Sequence, residues 1–112
     1  MTLTEELQYE RNWAAALVRR ALGRIGAEFK SGPKAHVFGA LKPFLTGGVD
    51  LPSQETIAKT LNMPIDTVRS HLARLRARYR DFVREEVART IGPADDVEEE
   101  LRHLRRILTA TF

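Results

Sequence analysis

The sequence contains no cysteine, which excludes disulfides, a cysteine nucleophile and thiolate metal sites. It also has no apolar run of the roughly 20 residues that a membrane-spanning helix requires. The first six residues include two acids and lack the basic region and apolar stretch of a signal peptide. We therefore expect a cytoplasmic protein that does not associate with a membrane.

Few residues have the spacing of a catalytic or metal site. The histidines His36, His71 and His103 fall on three separate predicted helices and lack metal-ligand spacing. The acids between Asp95 and Glu100 lack the spacing of a calcium loop, and no phosphate-binding glycine pattern surrounds Gly47. We expect neither enzymatic activity nor a bound cofactor.

The positions of the apolar residues predict helices throughout. No segment alternates with period two over the length of a strand, so no sheet is expected. Glycine and proline divide the 112 residues into about five helices, and this length suits one all-α domain covering 1–112. The predicted helices cover about 4–29, 33–45, 54–61, 64–90 and 93–110. The last of these carries an apolar stripe of Val97, Leu101, Leu104 and Leu108.

The third and fourth predicted helices form a helix-turn-helix over about 53–79. Ser53 is a favourable N-cap for the third helix, and Asn62 tolerates the left-handed backbone that ends it. The turn is predicted at Asn62-Met63-Pro64, and Pro64 is expected to start the fourth helix. Small Ala58 allows the two helices to approach closely. The internal core of the motif is predicted to be Ile57, Leu61, Val68 and Leu72.

The fourth helix has a distinctive outward face. At 100° per residue, one narrow stripe faces the core, and it contains Val68, Leu72, Leu75, Tyr79 and Phe82. Small residues lie opposite this stripe, namely Ser70, Ala73 and Ala77, and arginines flank them on both sides. There are five arginines and no acid from Arg69 to Arg80, whereas an ordinary solvated helix mixes acids and bases. This pattern predicts a helix that enters the major groove of DNA.

Position along this helix separates the expected roles. Residues near the N-terminus of a recognition helix meet the bases, so the base-reading candidates are Arg69, Ser70, Ala73 and Arg74. The candidates for phosphate contacts are Thr67, His71, Arg76, Arg78 and Lys59 of the preceding helix. For Thr67, a purely local hydroxyl bond at the helix start is an equally good interpretation.

The residues from Gln54 to Met63, followed by those from Thr67 to Arg76, resemble region 4 of bacterial RNA polymerase sigma factors. The extracytoplasmic-function group is the most similar. The flanking segments at 13–22, 38–47 and 100–104 resemble a sigma-like subgroup with an extra C-terminal helix. Two positions depart from the family pattern. Asn62 replaces a turn glycine, and Pro64-Ile65 replaces a serine-acid helix start.

The resemblance implies that the domain binds the promoter −35 element. It assigns the major-groove contacts to Arg69, Ser70, Ala73 and Arg74. It also implies docking on the flap of the polymerase beta subunit, and an anti-sigma factor is a further partner of such proteins. No segment resembles sigma region 2. We therefore expect the C-terminal part of a longer protein, with a free-standing region-4-like regulator as the alternative.

Two other functions remain open. An ordinary helix-turn-helix regulator would dimerise through its flanking helices and bind two half-sites about one DNA turn apart. A protein-interaction module would have no DNA role. In that case the five acids between Asp95 and Glu100 could fold over the arginine face and mask it, although acids also simply favour a helix N-terminus.

Overall fold

A computed structural model describes residues 2–29, 32–47 and 50–111 of the chain. Within these ranges all regular structure is helical and no strand is present, which confirms the predicted all-α fold. There are five helices of seven or more residues and one four-residue helix. They are α1 (Leu3–Phe29), α2 (Ala35–Leu41), α3 (Pro43–Thr46), α4 (Gln54–Leu61), α5 (Ile65–Thr90) and α6 (Val97–Thr111). No described helix is both long enough and apolar enough to cross a bilayer.

Three helix boundaries differ from the sequence prediction. The helix expected over 33–45 is divided into α2 and α3, because Pro43 has no N–H with which to continue the ladder. Pro64 lies just before α5 and contributes only its carbonyl, which accepts the N–H groups of Thr67 and Val68. The helix expected over 93–110 begins at Val97.

The late start of α6 has a local cause. The Asp95 carboxylate accepts the backbone N–H of Gly92 at 2.8 Å and holds the preceding residues in a turn. The Asp96 carboxylate accepts the N–H of Glu98 at 2.9 Å, so Asp96 is the residue that caps the helix. Side-chain bonds of this kind compete with helical ones and move the boundary along the chain.

The contacts of the chain group into two compact units. One, here called the terminal unit, comprises Met1–Arg24 and Asp81–Phe112, and the other, the central unit, comprises Ile25–Arg80. The prediction of a single domain stays a prediction. The helix-turn-helix lies entirely within the central unit.

The terminal unit has a core built from α1, α5 and α6. One cluster of buried side chains in this core consists of Ala14, Leu17, Val87, Leu104 and Ile107, and Trp13 and Leu101 are among the partly buried residues packed against it. Of the stripe predicted for α6, only Leu104 is buried, whereas Val97, Leu101 and Leu108 are partly exposed. Ile107, which lies outside the predicted stripe, is buried and shares the centre of the face with Leu104.

A buried carboxylate links α1 and α5 within the terminal unit. Glu86 is only 3% exposed, and its oxygens lie 3.2 Å from Arg20, 3.5 Å from Arg24 and 3.3 Å from Arg89. Arg24 also lies over the ring of Phe82, with its guanidinium carbon 4.4 Å from the ring centroid. Several cations around one buried carboxylate offset the cost of removing it from water.

The central unit packs α2, α4 and the first half of α5 against the end of α1. Its buried side chains are Ile25, Val37, Leu41, Ile57, Ala58, Val68, Leu72 and Leu75. The rings of Phe29 and Phe38 stack in parallel, with centroids 5.5 Å apart and an interplanar angle of 6°. This packing fixes which side of α5 faces outward.

Candidate nucleic-acid interface

The start of α4 is capped as the sequence predicts. The Ser53 hydroxyl accepts the backbone N–H of Thr56 at 3.1 Å, and the two hydroxyls are 2.9 Å apart. Such a cap satisfies one of the N–H groups that the first turn leaves without a helical partner. It therefore fixes where α4 begins relative to the loop before it.

The turn between α4 and α5 closes around Asn62. This residue has φ 54° and ψ 48°, which is the left-handed region that asparagine tolerates better than most residues. The N–H of Asn62 donates to Lys59 at 3.2 Å, and the N–H of Met63 donates to Ala58 at 3.0 Å. This pair of bonds defines the Schellman motif and reverses the chain sharply, so that α5 starts at Ile65.

The internal core of the motif is largely as predicted. Ile57, Ala58, Val68 and Leu72 are buried, and only Leu61 remains partly exposed. Ala58 is 7% exposed, which fits the close approach expected at a small residue. The predicted inward stripe of α5 is also buried at Leu75 and Phe82, whereas Tyr79 is partly exposed.

The opposite side of α5 is exposed as the helical spacing predicts. The exposed residues of this face are Arg69, Ser70, Ala73, Arg74, Arg76, Ala77 and Arg80. Small side chains in the middle of the face would allow the helix to lie deep in the major groove of DNA. The guanidinium groups at the edges of the face have the length to reach base edges or phosphates. Lys59, the predicted backbone contact on α4, is exposed as well, and Thr67 is partly exposed.

Arg69 is oriented by two neighbours near the N-terminus of α5. Its Nε donates to Gln54 Oε1 at 3.3 Å, and its Nη1 donates to Asp66 Oδ1 at 3.4 Å. The Arg69 side chain nevertheless remains 58% exposed. Gln54 was not among the residues predicted from the sequence, although it connects the first turn of α4 to the base-reading candidate.

His71 and Arg74 share the edge of a cavity of about 310 Å³. Arg74 Nη2 lies 3.2 Å from His71 Nδ1. Phe29, Val37, Phe38 and Leu75 form apolar parts of the lining, and its charged residues are Lys34, Arg74, Arg78 and Glu28. Partial burial, together with the positive charges of Arg74 and Lys34, lowers the pKa of His71. His71 is therefore predominantly neutral in the unbound protein at neutral pH.

Arg78 already has a partner within the central unit. Its Nε donates to both carboxylate oxygens of Glu28, at 3.1 and 3.0 Å, and its Nη2 donates to Oε1 at 2.8 Å. The hydrogen bonds from Arg78 lower the pKa of Glu28. A phosphate contact by Arg78 would have to compete with this carboxylate, so Arg78 is less available to a phosphate than the exposed Arg76 and Lys59.

The acids that were considered as a mask have local partners in the terminal unit. Asp95 and Asp96 accept backbone N–H groups, and Glu98 pairs with Arg84 of α5. These contacts account for three of the five acids through capping and ion pairing. Masking of the arginine face stays a hypothesis.

Three residues of this surface could not be identified from sequence. Gln54 orients Arg69, Lys34 adds charge beside His71, and Glu28 binds Arg78. Glu28 lies 50 positions from Arg78, and no spacing rule connects them.

In comparisons with known proteins, no protein-family model, curated protein or solved structure matches this chain.

Proposed function

We propose that the chain binds DNA through its helix-turn-helix, with the first half of α5 in the major groove. The observation that carries the proposal is the exposed face of α5. Four of the five arginines from Arg69 to Arg80 are exposed there, the segment contains no acid, and Val68, Leu72 and Leu75 anchor the helix in the core. Arginine is the side chain best suited to guanine, because its planar donors match two acceptors on one base edge. The proposal includes no catalytic activity.

Base reading falls to Arg69, Ser70, Ala73 and Arg74 in this proposal. They lie in the first three turns of α5 and are exposed, and recognition helices contact bases with this part of their length. Phosphate contacts fall to Thr67, His71, Arg76 and Lys59. Arg78 joins them only when a phosphate displaces it from Glu28.

The finer proposal follows from the resemblance to sigma region 4. The DNA target is then the promoter −35 element, bound as part of transcription initiation in the cytoplasm. The partner is the flap of the RNA polymerase beta subunit, and an anti-sigma factor would bind the same domain to inhibit it. The Schellman turn at Asn62 supports this assignment, because Asn62 adopts the left-handed backbone for which a turn glycine is otherwise suited.

The test is selection of bound sequences from a randomised duplex pool, repeated with Arg69→Ala and Arg74→Ala. Each substitution should cost about 1–3 kcal/mol at particular base positions and relax the preference there. Lys59→Ala should instead weaken binding to all sequences and reduce its salt dependence. Arg106→Ala, an exposed arginine on α6 of the terminal unit, is the control with the same change in charge.

A short asymmetric motif that shifts with Arg69→Ala and Arg74→Ala, but not with Arg106→Ala, would support the proposal. A palindromic motif would identify a dimeric regulator instead. If the chain binds no duplex at low salt, the arginine face serves a protein partner and the proposal is wrong.

A further inference from the structure

The terminal unit contains a second cavity, whose chemistry is opposite to that of the arginine face. Its volume is about 390 Å³, and it lies between the start of α1, the end of α5 and the start of α6. The residues that define its chemistry are Glu6, Tyr9, Glu10, Trp13, Glu100 and His103. No lysine or arginine lines it among the described residues.

Three carboxylates surround this cavity, and only one of them has a partner there. Glu10 Oε1 lies 3.3 Å from His103 Nε2. Within the part of the chain that the structure describes, Glu6 and Glu100 form no ion pair. Carboxylates that share one concave surface repel one another, and a cation placed between them relieves that repulsion.

Aromatic rings supply the second element of the cavity. Trp13 stacks on the His103 ring, with centroids 5.9 Å apart and an interplanar angle of 29°. Tyr9, one turn earlier on α1, is 68% exposed. Among side chains, tryptophan attracts a cation over its ring most strongly, and a guanidinium group can also stack flat against it.

We propose that this cavity binds an arginine side chain from a basic segment of a partner protein. The charge of the cavity selects a cation, and the exposed ring of Tyr9 beside Trp13 favours a planar guanidinium over a compact ammonium. Leu3 and Leu7, which are 72% and 44% exposed, lie outside the cavity lining on the same first two turns of α1 as Glu6. The occupant that we propose is an arginine with an apolar neighbour in its own chain.

The single tryptophan of the chain provides a direct readout, because Trp13 lines this cavity. The probe is an acetylated and amidated arginine-leucine-arginine tripeptide, titrated while Trp13 fluorescence is recorded. The control peptide has citrulline in place of arginine and so keeps the planar shape without the charge. We expect a saturable change with the arginine peptide and at least about tenfold weaker binding of the citrulline peptide.

Two variants locate the binding site. Glu100→Gln removes a carboxylate from the cavity, whereas Glu99→Gln makes the same change in charge one residue earlier, at an exposed position outside the lining. Glu100→Gln should weaken binding of the arginine peptide by about two- to fivefold, and Glu99→Gln should leave it unchanged. Circular dichroism of both variants confirms that α6 is retained.

Three results would overturn the proposal. The first is the absence of a saturable fluorescence change, and the second is equal binding of the citrulline peptide. The third is equal weakening by Glu99→Gln and Glu100→Gln, which would show only long-range attraction to an acidic helix. None of these results bears on DNA binding by the central unit.

Discussion

The backbone of Asn62, more than its side chain, sets the path of the chain between α4 and α5. Because its φ is 54°, any residue with a Cβ and no local polar compensation is strained there. We predict that Asn62→Ala lowers the free energy of unfolding by about 1 kcal/mol and that Asn62→Gly changes it little. Urea denaturation of both variants measures the difference. Equal losses would show that the amide side chain, and not the backbone, matters at this position.

His71 should couple DNA binding to proton uptake. Its pKa is lowered from the ordinary 6.5 by burial and by Arg74 and Lys34, and Arg78 and Glu28 line the same cavity. A nearby DNA phosphate would offset the positive charges and raise this pKa. We therefore predict that DNA affinity rises several-fold as the pH falls from about 7.5 to about 5.5.

The variant His71→Gln should lose most of this pH dependence, and His103→Gln in the terminal unit should retain it. Fluorescence anisotropy with one labelled duplex across the pH range makes the comparison. In the unbound protein the effect on stability has the opposite direction. The pKa of His71 is lower in the folded protein than in the unfolded chain. The contribution of His71 to the free energy of unfolding is therefore complete above pH 6.5, and it is lost as the pH falls through the folded pKa. A pH profile unchanged by His71→Gln would remove His71 from the interface.

At the scale of whole elements, the sequence predicts a helix boundary well where only one residue nearby can cap the end of the helix. Helix α4 has the predicted bounds, because Ser53 caps its start and Asn62 adopts the left-handed conformation at its end. At α6 two adjacent aspartates can both accept a backbone N–H. The helix starts after Asp96 because Asp95 bonds back to Gly92, and periodicity alone cannot choose between them.

The exposed face of α5 is also predictable from sequence, because helical geometry alone determines which residues lie opposite Val68 and Leu72. The residues that bind the arginines of this face cannot be predicted in that way. Gln54 reaches Arg69 across the turn, and Glu28 reaches Arg78 from another helix. Such pairs depend on how helices pack, and a single sequence carries no signal for them.

The ion pair between α1 and α5 in the central unit should restrain DNA binding. Glu28→Gln removes the carboxylate that holds Arg78 and leaves a neutral acceptor of similar shape. We predict higher affinity for DNA and a salt dependence steeper by about one phosphate contact. Glu99→Gln, which changes the net charge equally, is the control. The interpretation fails if both variants raise the affinity to the same extent with unchanged salt slopes.

At the scale of the molecule, the charge is organised although the net value is only +3. The central unit carries the arginines of α5, and the terminal unit carries the acids around α6 and the start of α1. A polyanion would be attracted by the first group and repelled by the second. A polyanion should therefore bind the central unit in preference to the terminal unit.

The exposed apolar side chains lead to a prediction about how many copies of the chain bind one duplex. Among the described residues, the large apolar side chains exposed to solvent are Leu3, Leu7 and Tyr9. The interfaces of permanent homodimers are large and markedly hydrophobic, and three exposed apolar side chains offer little of such a surface. We therefore predict that the chain binds its selected duplex one to one, as a monomer on an asymmetric element. Sedimentation equilibrium with a labelled duplex measures the ratio directly. Two chains on one duplex, with half-sites about 10 base pairs apart, would instead identify the dimeric regulator.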